Sequence, residues 1–363
     1  MWIEIILGIY AVQVICYAVI LWIERYKPHS QTYKKVAVLV ACRNEEKNIL
    51  PCLQSLYAQD YPKEYFEVWI GDDDSTDNTA LIVQKFIKDK PNFHYVKITQ
   101  NLWGLKAKQN VLAQLAHKTD AEILCITDAD IITPKTWIGT LVSGFDSSKV
   151  GIVCGTTYIL PKGFFNVLQS IDWLFYMGIA KANLNIRLPI TAIGNNMAVR
   201  SAAYKAVGGY ENIPFSFTED YKLFKEILKR TDYTAKWIFS PLNTNITYGA
   251  SSLHKWLQQR KRWLKGGMEL PFFIWLLMLF NVCVEIVMCL SFIKSISLFA
   301  ILFLCKTLVN SVLLLSIFSK LQTWYKNWLW AVPVYTLYQM GLIPILFVYF
   351  ILPLKLKWKD REY

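Results

Sequence analysis

Two aspartates separated by one residue, Asp128 and Asp130, follow the apolar run Glu122-Ile123-Leu124-Cys125-Ile126, whose length and composition predict a short buried strand. Paired carboxylates are hard oxygen donors suited to Mg2+ or Mn2+, ions that bridge a protein to phosphate oxygens. At the carboxyl edge of an α/β sheet such a pair would make a metal–diphosphate site. Taken alone, Asp-x-Asp is commoner as a turn. Three further groups stand around it in the chain: Asp72-Asp73, Glu219-Asp220, and Gln259 with Arg262-Trp263. Each has a plainer reading. Asp72 to Thr79 suits an Asx-rich capping turn, or a calcium loop without its sixth-position glycine. Glu219 and Asp220 suit first-turn helix acids, a place where the helix dipole favours ionised Asp220. The run Arg260-Lys261-Arg262 suits a lipid contact, and Trp263 an interfacial anchor.

The elements that would hold these groups alternate. Val36 to Ala41 is a continuous β-branched run typical of a central parallel strand, and Asn48 to Tyr57 has helical spacing of Ile49, Leu53 and Leu56. Phe66 to Ile70 predicts a second strand leading into the Asp72 cluster, with a helix over 79–88. A strand near 94–98, a helix near 106–117 and the strand before Asp128 complete three βα repeats. This alternation predicts an α/β fold with a doubly wound, mostly parallel sheet. Both acidic clusters then fall at carboxyl ends of strands, where ligands bind in such sheets. Beyond Asp130, a strand is expected over 152–158 and a helix over 221–230. The stretches Gly194 to Arg200 and Gly208 to Tyr210 read as turn-rich loops.

Of the 363 residues, 54% are apolar and 15% aromatic, and the net charge is +12. That is too apolar for an ordinary soluble enzyme. The charge suits anionic lipid or a phosphorylated small molecule, and without a recognition-helix or aromatic-basic pattern nucleic acid is the poorest candidate. Eight cysteines without paired spacing read as small buried hydrophobes in a reduced compartment, and the four histidines make no zinc pattern. Trp2 to Ile23 is apolar over about 20 residues, enough to cross a bilayer, and has no basic n-region or cleavage site. Residues 1–24 are therefore expected to form an anchor. Arg25, Lys27, Lys34 and Lys35 follow it, which puts the next domain in the cytoplasm by the positive-inside rule. A soluble domain is expected over 34–267, with interfacial amphipathic segments near 163–182 and 251–267. A membrane region follows over 270–353, with spans near 271–291, 295–318 and 328–352, the last kinked or broken by Pro333, Gly341 and Pro344. Glu285 and Lys306 are expected to meet between the first two. The basic tail 354–363 would then lie outside, against the positive-inside rule, so one segment is expected to lie flat or re-enter.

The four groups in this order, between an anchor and later spans, resemble the membrane-bound members of glycosyltransferase family 2, inverting enzymes of the GT-A fold. The ceramide glucosyltransferase-like members are similar in size and layout. The resemblance covers roughly residues 34–263. It implies a metal-dependent glycosyltransferase (hexosyl or N-acetylhexosaminyl) in the cell (inner) membrane, multi-pass, with its catalytic domain cytoplasmic. It further implies a nucleotide-sugar donor, UDP-linked in most such families, and a lipid or glycan acceptor among membrane lipids. Position by position, Ala41, Asn44 and Glu45 would approach the donor nucleotide, and Asp72 and Asp73 its uracil and ribose. Lys106 would face the phosphates, and Asp128 and Asp130 would hold Mg2+ or Mn2+, with Asp130 the direct ligand. Asp220 would be the general base beside Glu219, and Gln259, Arg262 and Trp263 would hold the diphosphate and border the acceptor. Asn195 and Asn196 fall near the family's acceptor loop. Asp74 departs from the Gly or His of many relatives. Single transfer to a lipid is the reading preferred here, processive polysaccharide synthesis its alternative, and a non-catalytic nucleotide-sensing membrane protein the reading from another class.

Overall fold

The computed structural model describes residues 2–24, 32–321, 330–352, 357–358 and 361–362, and the basic Arg25, Lys27, Lys355 and Lys359 lie outside them. In chain order, α1 (Trp2–Ile23) precedes β1 (Val36–Cys42), α2 (Ile49–Tyr57), β2 (Phe66–Asp72), α3 (Thr79–Ile87), β3 (Phe93–Lys97), α4 (Ala107–Ala116) and β4 (Ile123–Asp128). Then come α5 (Trp137–Ser143), β5 (Val150–Cys154), β6 (Thr156–Ile159), α6 (Phe164–Asn185), β7 (Met197–Arg200), α7 (Ser201–Ala206), α8 (Glu219–Arg230), β8 (Thr234–Trp237) and β9 (Thr244–Thr247). The helices α9 (Leu253–Gly267), α10 (Phe272–Lys294), α11 (Ile296–Leu321) and α12 (Val332–Ile351) follow. Two compact units result: one of Tyr26–Tyr158 and Thr191–Tyr248, the other of Met1–Arg25, Ile159–Ile190 and Gly249–Tyr363.

The first unit is built on a seven-stranded sheet of order β3-β2-β1-β4-β7-β5-β8. The pairs β3-β2, β2-β1, β1-β4 and β5-β8 are parallel, as the βα alternation predicts, whereas β7 runs antiparallel between β4 and β5. That insertion differs from the expected loop at 194–200. Four residues, Met-Ala-Val-Arg, are too few to show a period, and tertiary burial of Met197, Ala198 and Val199 makes the strand. The strand expected over 152–158 is two, parted at Gly155, whose Cβ would lie 2.3 Å from Asn196 Oδ1. Val36, Val38 and Val40 alternate into the core beside Val68, Ile70, Ile123 and Cys125, and α2, α3 and α5 cover that face with Leu53, Val83 and Trp137. At Gly71 a Cβ would meet Val111 Cγ1 at 2.4 Å, so glycine is what lets α4 lie against β2.

In the second unit, α1, α10, α11 and α12 are each long and apolar enough to cross a membrane. The last runs on through Pro344 instead of breaking there. The helix expected at 163–182 is α6, packed against α1, α11 and α12. Its polar residues are buried because the other helices answer them: Asp172 Oδ2 accepts from Arg260 Nη2 at 2.5 Å, and Lys181 pairs with Glu24 at 2.6 Å. A buried polar chain continues through the bundle. Lys306 Nζ lies 2.7 and 2.8 Å from the two oxygens of Glu285, as the sequence predicts, and 3.3 Å from Gln339 Oε1. Asn310 joins it, donating to Gln339 at 2.9 Å and accepting from the Tyr10 hydroxyl at 2.7 Å. Gln339 donates to the Tyr335 hydroxyl at 2.9 Å. All eight cysteines are free thiols; Cys42, Cys52, Cys125 and Cys154 are buried as expected, whereas Cys16, Cys283, Cys289 and Cys305 are exposed on the apolar helices α1, α10 and α11.

Candidate functional site: an acidic cluster at the sheet edge

Parallel register brings the candidate residues of the first unit to one edge. Ala41 on β1 lies opposite both Gly71 and Asp128, and Cys42 lies opposite Asp72. The loops beyond β1 and β2 are laced together. The Asn44 N–H donates to Ser75 Oγ at 2.9 Å and Asn44 Oδ1 accepts from the Thr76 N–H at 2.9 Å. The Glu45 N–H donates to Thr79 Oγ1 at 2.8 Å, and its carboxylate accepts from Asn48 at 2.7 Å. Asp72 is nearly enclosed, with one oxygen taking the Ser75 N–H at 2.9 Å and the other the Tyr95 hydroxyl at 2.8 Å. Its carboxylate therefore builds the loop. The Asp73 N–H donates to the Cys42 carbonyl at 2.9 Å, fixing the backbone beside it. Asp74 adopts φ 55°, a left-handed conformation that glycine adopts freely and aspartate tolerates, and pairs with Lys97 at 3.3 Å.

At the end of β4 the charges converge. Lys108, in the first turn of α4, reaches Asp128 Oδ1 at 2.6 Å, Glu219 Oε1 at 2.9 Å and the Gly194 carbonyl at 3.4 Å. Burial opposes its charge, but Asp128, Glu219 and Asp220 outweigh it and hold the ammonium above the usual lysine range. Lys106, the lysine expected to face phosphates, is the exposed residue before α4, two positions away. The motif Lys106-Ala107-Lys108 carries both, and only the start of the helix at Ala107 decides which one turns to Asp128 and Glu219.

Asp220, second residue of α8, accepts the Gly194 N–H at 2.5 Å and the Tyr221 N–H at 2.8 Å. Burial and then the neighbouring Glu219 carboxylate push its acid up to about 6, against the opposing pull of Lys108 and the two N–H donors. The dipole of α8 favours an ionised Asp220, yet burial wins. Gly194 is required here because a Cβ would lie 2.8 Å from both the Cβ and Oδ2 of Asp220. Asn195 and Asn196 hold the same loop. Asn195 Oδ1 accepts from Thr157 at 2.8 Å, while the buried amide of Asn196 accepts from Trp137 Nε1 at 2.8 Å and donates to the carbonyls of Thr156 at 2.7 Å and Asn243 at 2.8 Å. Asn196 thus spends its amide inside the protein.

Asp128 keeps a third of its side chain exposed, and Asp130 Oδ2 accepts from Thr247 Oγ1 at 3.4 Å. Among the described residues no three His, Cys, Asp or Glu side chains gather as a complete metal cage. Two carboxylates at a sheet edge are instead the donor set of a hard ion that fills its remaining positions with water and substrate phosphate. The residues present fit that kind of ion.

Gln259, Arg262 and Trp263 lie on α9, in the second unit. The buried arginine of that helix is Arg260, which pairs with Asp172 and lies 4.6 Å from the centre of the Trp263 ring. Lys108, Gly194 and the Asp172–Arg260 pair were not singled out by sequence reasoning, and the last two depend on contacts between distant segments.

A mostly parallel sheet with carboxylates at its edge and one antiparallel strand beside them is the core of a GT-A glycosyltransferase. The chain superposes on a mannosyltransferase from Pyrobaculum calidifontis, solved with GDP-Man and Mn2+, with a TM-score of 0.58 at 18% identity, covering 95% of this chain and 99% of that one. It belongs to glycosyl transferase family 21, whose profile matches residues 1–363, a family of the family 2 type. It is 27% identical over 254 residues to a beta-monoglucosyldiacylglycerol synthase of Nostoc sp. (strain PCC 7120), covering 68% of this chain and 52% of that one. It is also 27% identical over 252 residues to a poly-beta-1,6-N-acetyl-D-glucosamine synthase of Staphylococcus epidermidis, covering 67% and 57%. The chain thus spans about half the length of the curated relatives it matches.

Proposed function

We propose that this protein transfers one sugar from a nucleotide-sugar, with inversion, to a hydroxyl of a membrane lipid, at a site on the cytoplasmic face of the cell (inner) membrane. The observation that carries this reading is Asp220, an acid raised to about 6, within a Lys108-linked cluster that includes Asp128. A general base must be ionised yet basic near neutral pH, and an ordinary aspartate is too acidic to be effective. Asp220 takes the acceptor hydroxyl's proton as the oxygen attacks the anomeric carbon. The new C–O bond forms on the face opposite the bond that breaks, the electron pair leaves with the nucleoside diphosphate, and the centre inverts. Lys108 holds Asp128 and Glu219 in place and limits how far Asp220 is raised. Asp73 and the loop built by Asn44, Glu45 and Asp72 receive the nucleoside. By the family motif, Arg262 and Gln259 take the diphosphate and Trp263 borders the acceptor. Asp128 and Asp130 would hold Mg2+ or Mn2+, which when bound supplies positive charge to the leaving diphosphate.

The glycolipid reading is supported by similarity to a glycolipid synthase, and four apolar helices support an acceptor drawn from the bilayer. Equal identity to a polysaccharide synthase supports the second reading, a processive synthase. Incubating membranes that contain the protein with a nucleotide-sugar panel and Mn2+ or Mg2+ separates the two. A single new glycolipid is expected; a ladder of oligosaccharides would overturn the lipid reading. Asp130→Ala is expected to remove transfer while the protein stays folded in the membrane, and full transfer by this variant would remove the metal assignment.

A further inference from the structure

The contacts of the second unit rank its helices along one axis. The turn between α10 and α11, at Ser295, marks one end. At the other end Glu24, just past α1, pairs with Lys181 of α6 at 2.6 Å, and Lys320 of α11 donates to the carbonyls of Trp22, at 3.2 Å, and Glu24. Between these ends α1 and α11 meet at Tyr10 and Asn310, and α10 and α11 at Glu285 and Lys306, near the helix midpoints. Helix α12 follows a different course. Its first turn is tied to α6, which lies against Leu21 and Ile317 at Gly178: the Tyr335 hydroxyl is 3.4 Å from Asp172 and its ring 5.7 Å from that of Phe175. Its second turn reaches the middle of α11, with Thr336 at Thr307 and Gln339 at Lys306 and Asn310. Its last turn is held by α9, where Gln258 donates to the Tyr349 hydroxyl at 2.8 Å and Lys261 to the carbonyls of Tyr349 and Leu352 at 3.1 and 2.6 Å. A crossing helix that began at this depth would bring Phe350 toward Ser295. The Phe350 ring instead lies 6.2 Å from that of Trp275, near the start of α10 and about 30 Å from Ser295 at a rise of about 1.5 Å per residue.

We propose that α12 lies along one leaflet and does not cross the bilayer, so that Lys355, Lys357, Lys359 and Arg361 follow it on the side where α1 ends and meet the anionic headgroups of that leaflet. Both ends of the helix are tied to that side, and its middle goes no deeper than the middle of α11. Pro333, Leu337, Gly341, Ile345, Val348 and Leu352 are exposed at spacings of three or four, which makes one apolar face for acyl chains. Tyr335, Thr336 and Gln339, on the other side, are buried among the neighbouring helices. Length and hydropathy alone read the same helix as a span. With α1, α10 and α11 as the crossings, the four cations come out on the side of Arg25 and Lys27, as the positive-inside rule requires. A crossing α12 would put them on the opposite side. Clustered cations next to a membrane helix are the complement of an anionic lipid surface. The inference rests on the membrane reading and is independent of the sugar chemistry.

The test uses the full chain in sealed membrane vesicles of one orientation and a maleimide that cannot cross the bilayer. Lys27→Cys, Lys294→Cys and Tyr363→Cys are made one at a time, with the parent and its own thiols as the background. The Tyr363→Cys thiol is expected to react from the same side as that of Lys27→Cys and from the side opposite to Lys294→Cys. Reaction from the Lys294→Cys side would overturn the placement of α12. A fluorophore is then put on the Tyr363→Cys thiol, in vesicles holding headgroup-spin-labelled phosphatidylglycerol or phosphatidylcholine. Quenching should be severalfold stronger with phosphatidylglycerol, and the excess should vanish in high salt. It should also vanish when Lys355, Lys357, Lys359 and Arg361 are all changed to glutamine. Equal quenching by the two lipids would overturn the headgroup contact. Release of the parent chain by alkaline carbonate would remove the membrane reading itself, whereas a retained chain that reacts from the wrong side removes only the course given to α12.

Discussion

Replacing Asp220 by asparagine is expected to remove transfer and, as pH rises, to make the protein progressively more stable relative to the parent. The carboxyl of Asp220 moves from an ordinary 3.8 to about 6 on folding. An acid raised on folding carries no penalty below its unfolded value, where both states are protonated. The penalty grows as pH rises through the interval and is complete above the folded value. At about 1.4 kcal/mol per pH unit, two units correspond to about 3 kcal/mol against folding at pH 8 and about 1 kcal/mol at pH 4.5. Asparagine also loses one of the two backbone N–H bonds to Gly194 and Tyr221, but that loss is independent of pH and cancels in the comparison. The relative stability of the variant should therefore rise by about 2 kcal/mol between pH 4.5 and 8. At about 2–4 °C per kcal/mol for a unit of this size, its melting temperature should gain about 4–8 °C on the parent over that range. Melting curves of the full chain in one detergent at several pH values measure it. A difference that stays flat, or runs the other way, would refute the raised acid and with it the argument for the base. In the parent, transfer should fall off as pH drops through about 6, and the variant should lose about 10²–10⁴-fold at all pH.

Lys108→Met withdraws the cation from Asp128, Glu219 and Asp220, so the acid limb of the pH–rate profile should move to higher pH, as steady-state rates from pH 5 to 9 would reveal. Gly194→Ala drives a methyl into Asp220, and single-turnover rates should drop on the order of 10²-fold, with a lower melting temperature from overpacking of about 1–3 kcal/mol. Lys306→Met strands the buried Glu285 carboxylate and should cost about 3–5 kcal/mol, read as a lower melting temperature. Adding Glu285→Gln should restore most of that loss.

What was legible in the sequence follows from what is local. The strands ending in Asp72 and Asp128 announced themselves by composition, and parallel register did the rest. Glu285 and Lys306 were legible as a pair because they sit 21 residues apart on consecutive apolar helices, where few other partners are in reach. Arg260 and Asp172 are 88 residues apart, and nothing in either neighbourhood points to the other. The same holds for Gly194, whose reason is the side chain of Asp220. Lys106 and Lys108 differ by two positions on a segment whose helical start no strong cap announces. Strand β7 was missed because four residues buried among neighbours need no pattern of their own.

The Glu285–Lys306 contact also bears on how this chain enters a bilayer. In the membrane placement proposed here, α10 or α11 inserting alone would carry a bare charge near mid-depth, at about 2.5–3.5 kcal/mol on insertion scales. The two partners are joined by 2.7 Å across a turn only one residue long, between Lys294 and Ile296. A hairpin that closes before it leaves the translocation channel presents a neutral object to the lipid. In that placement, insertion of α10 and α11 as one step, not two, would be the kinetic counterpart of that ion pair.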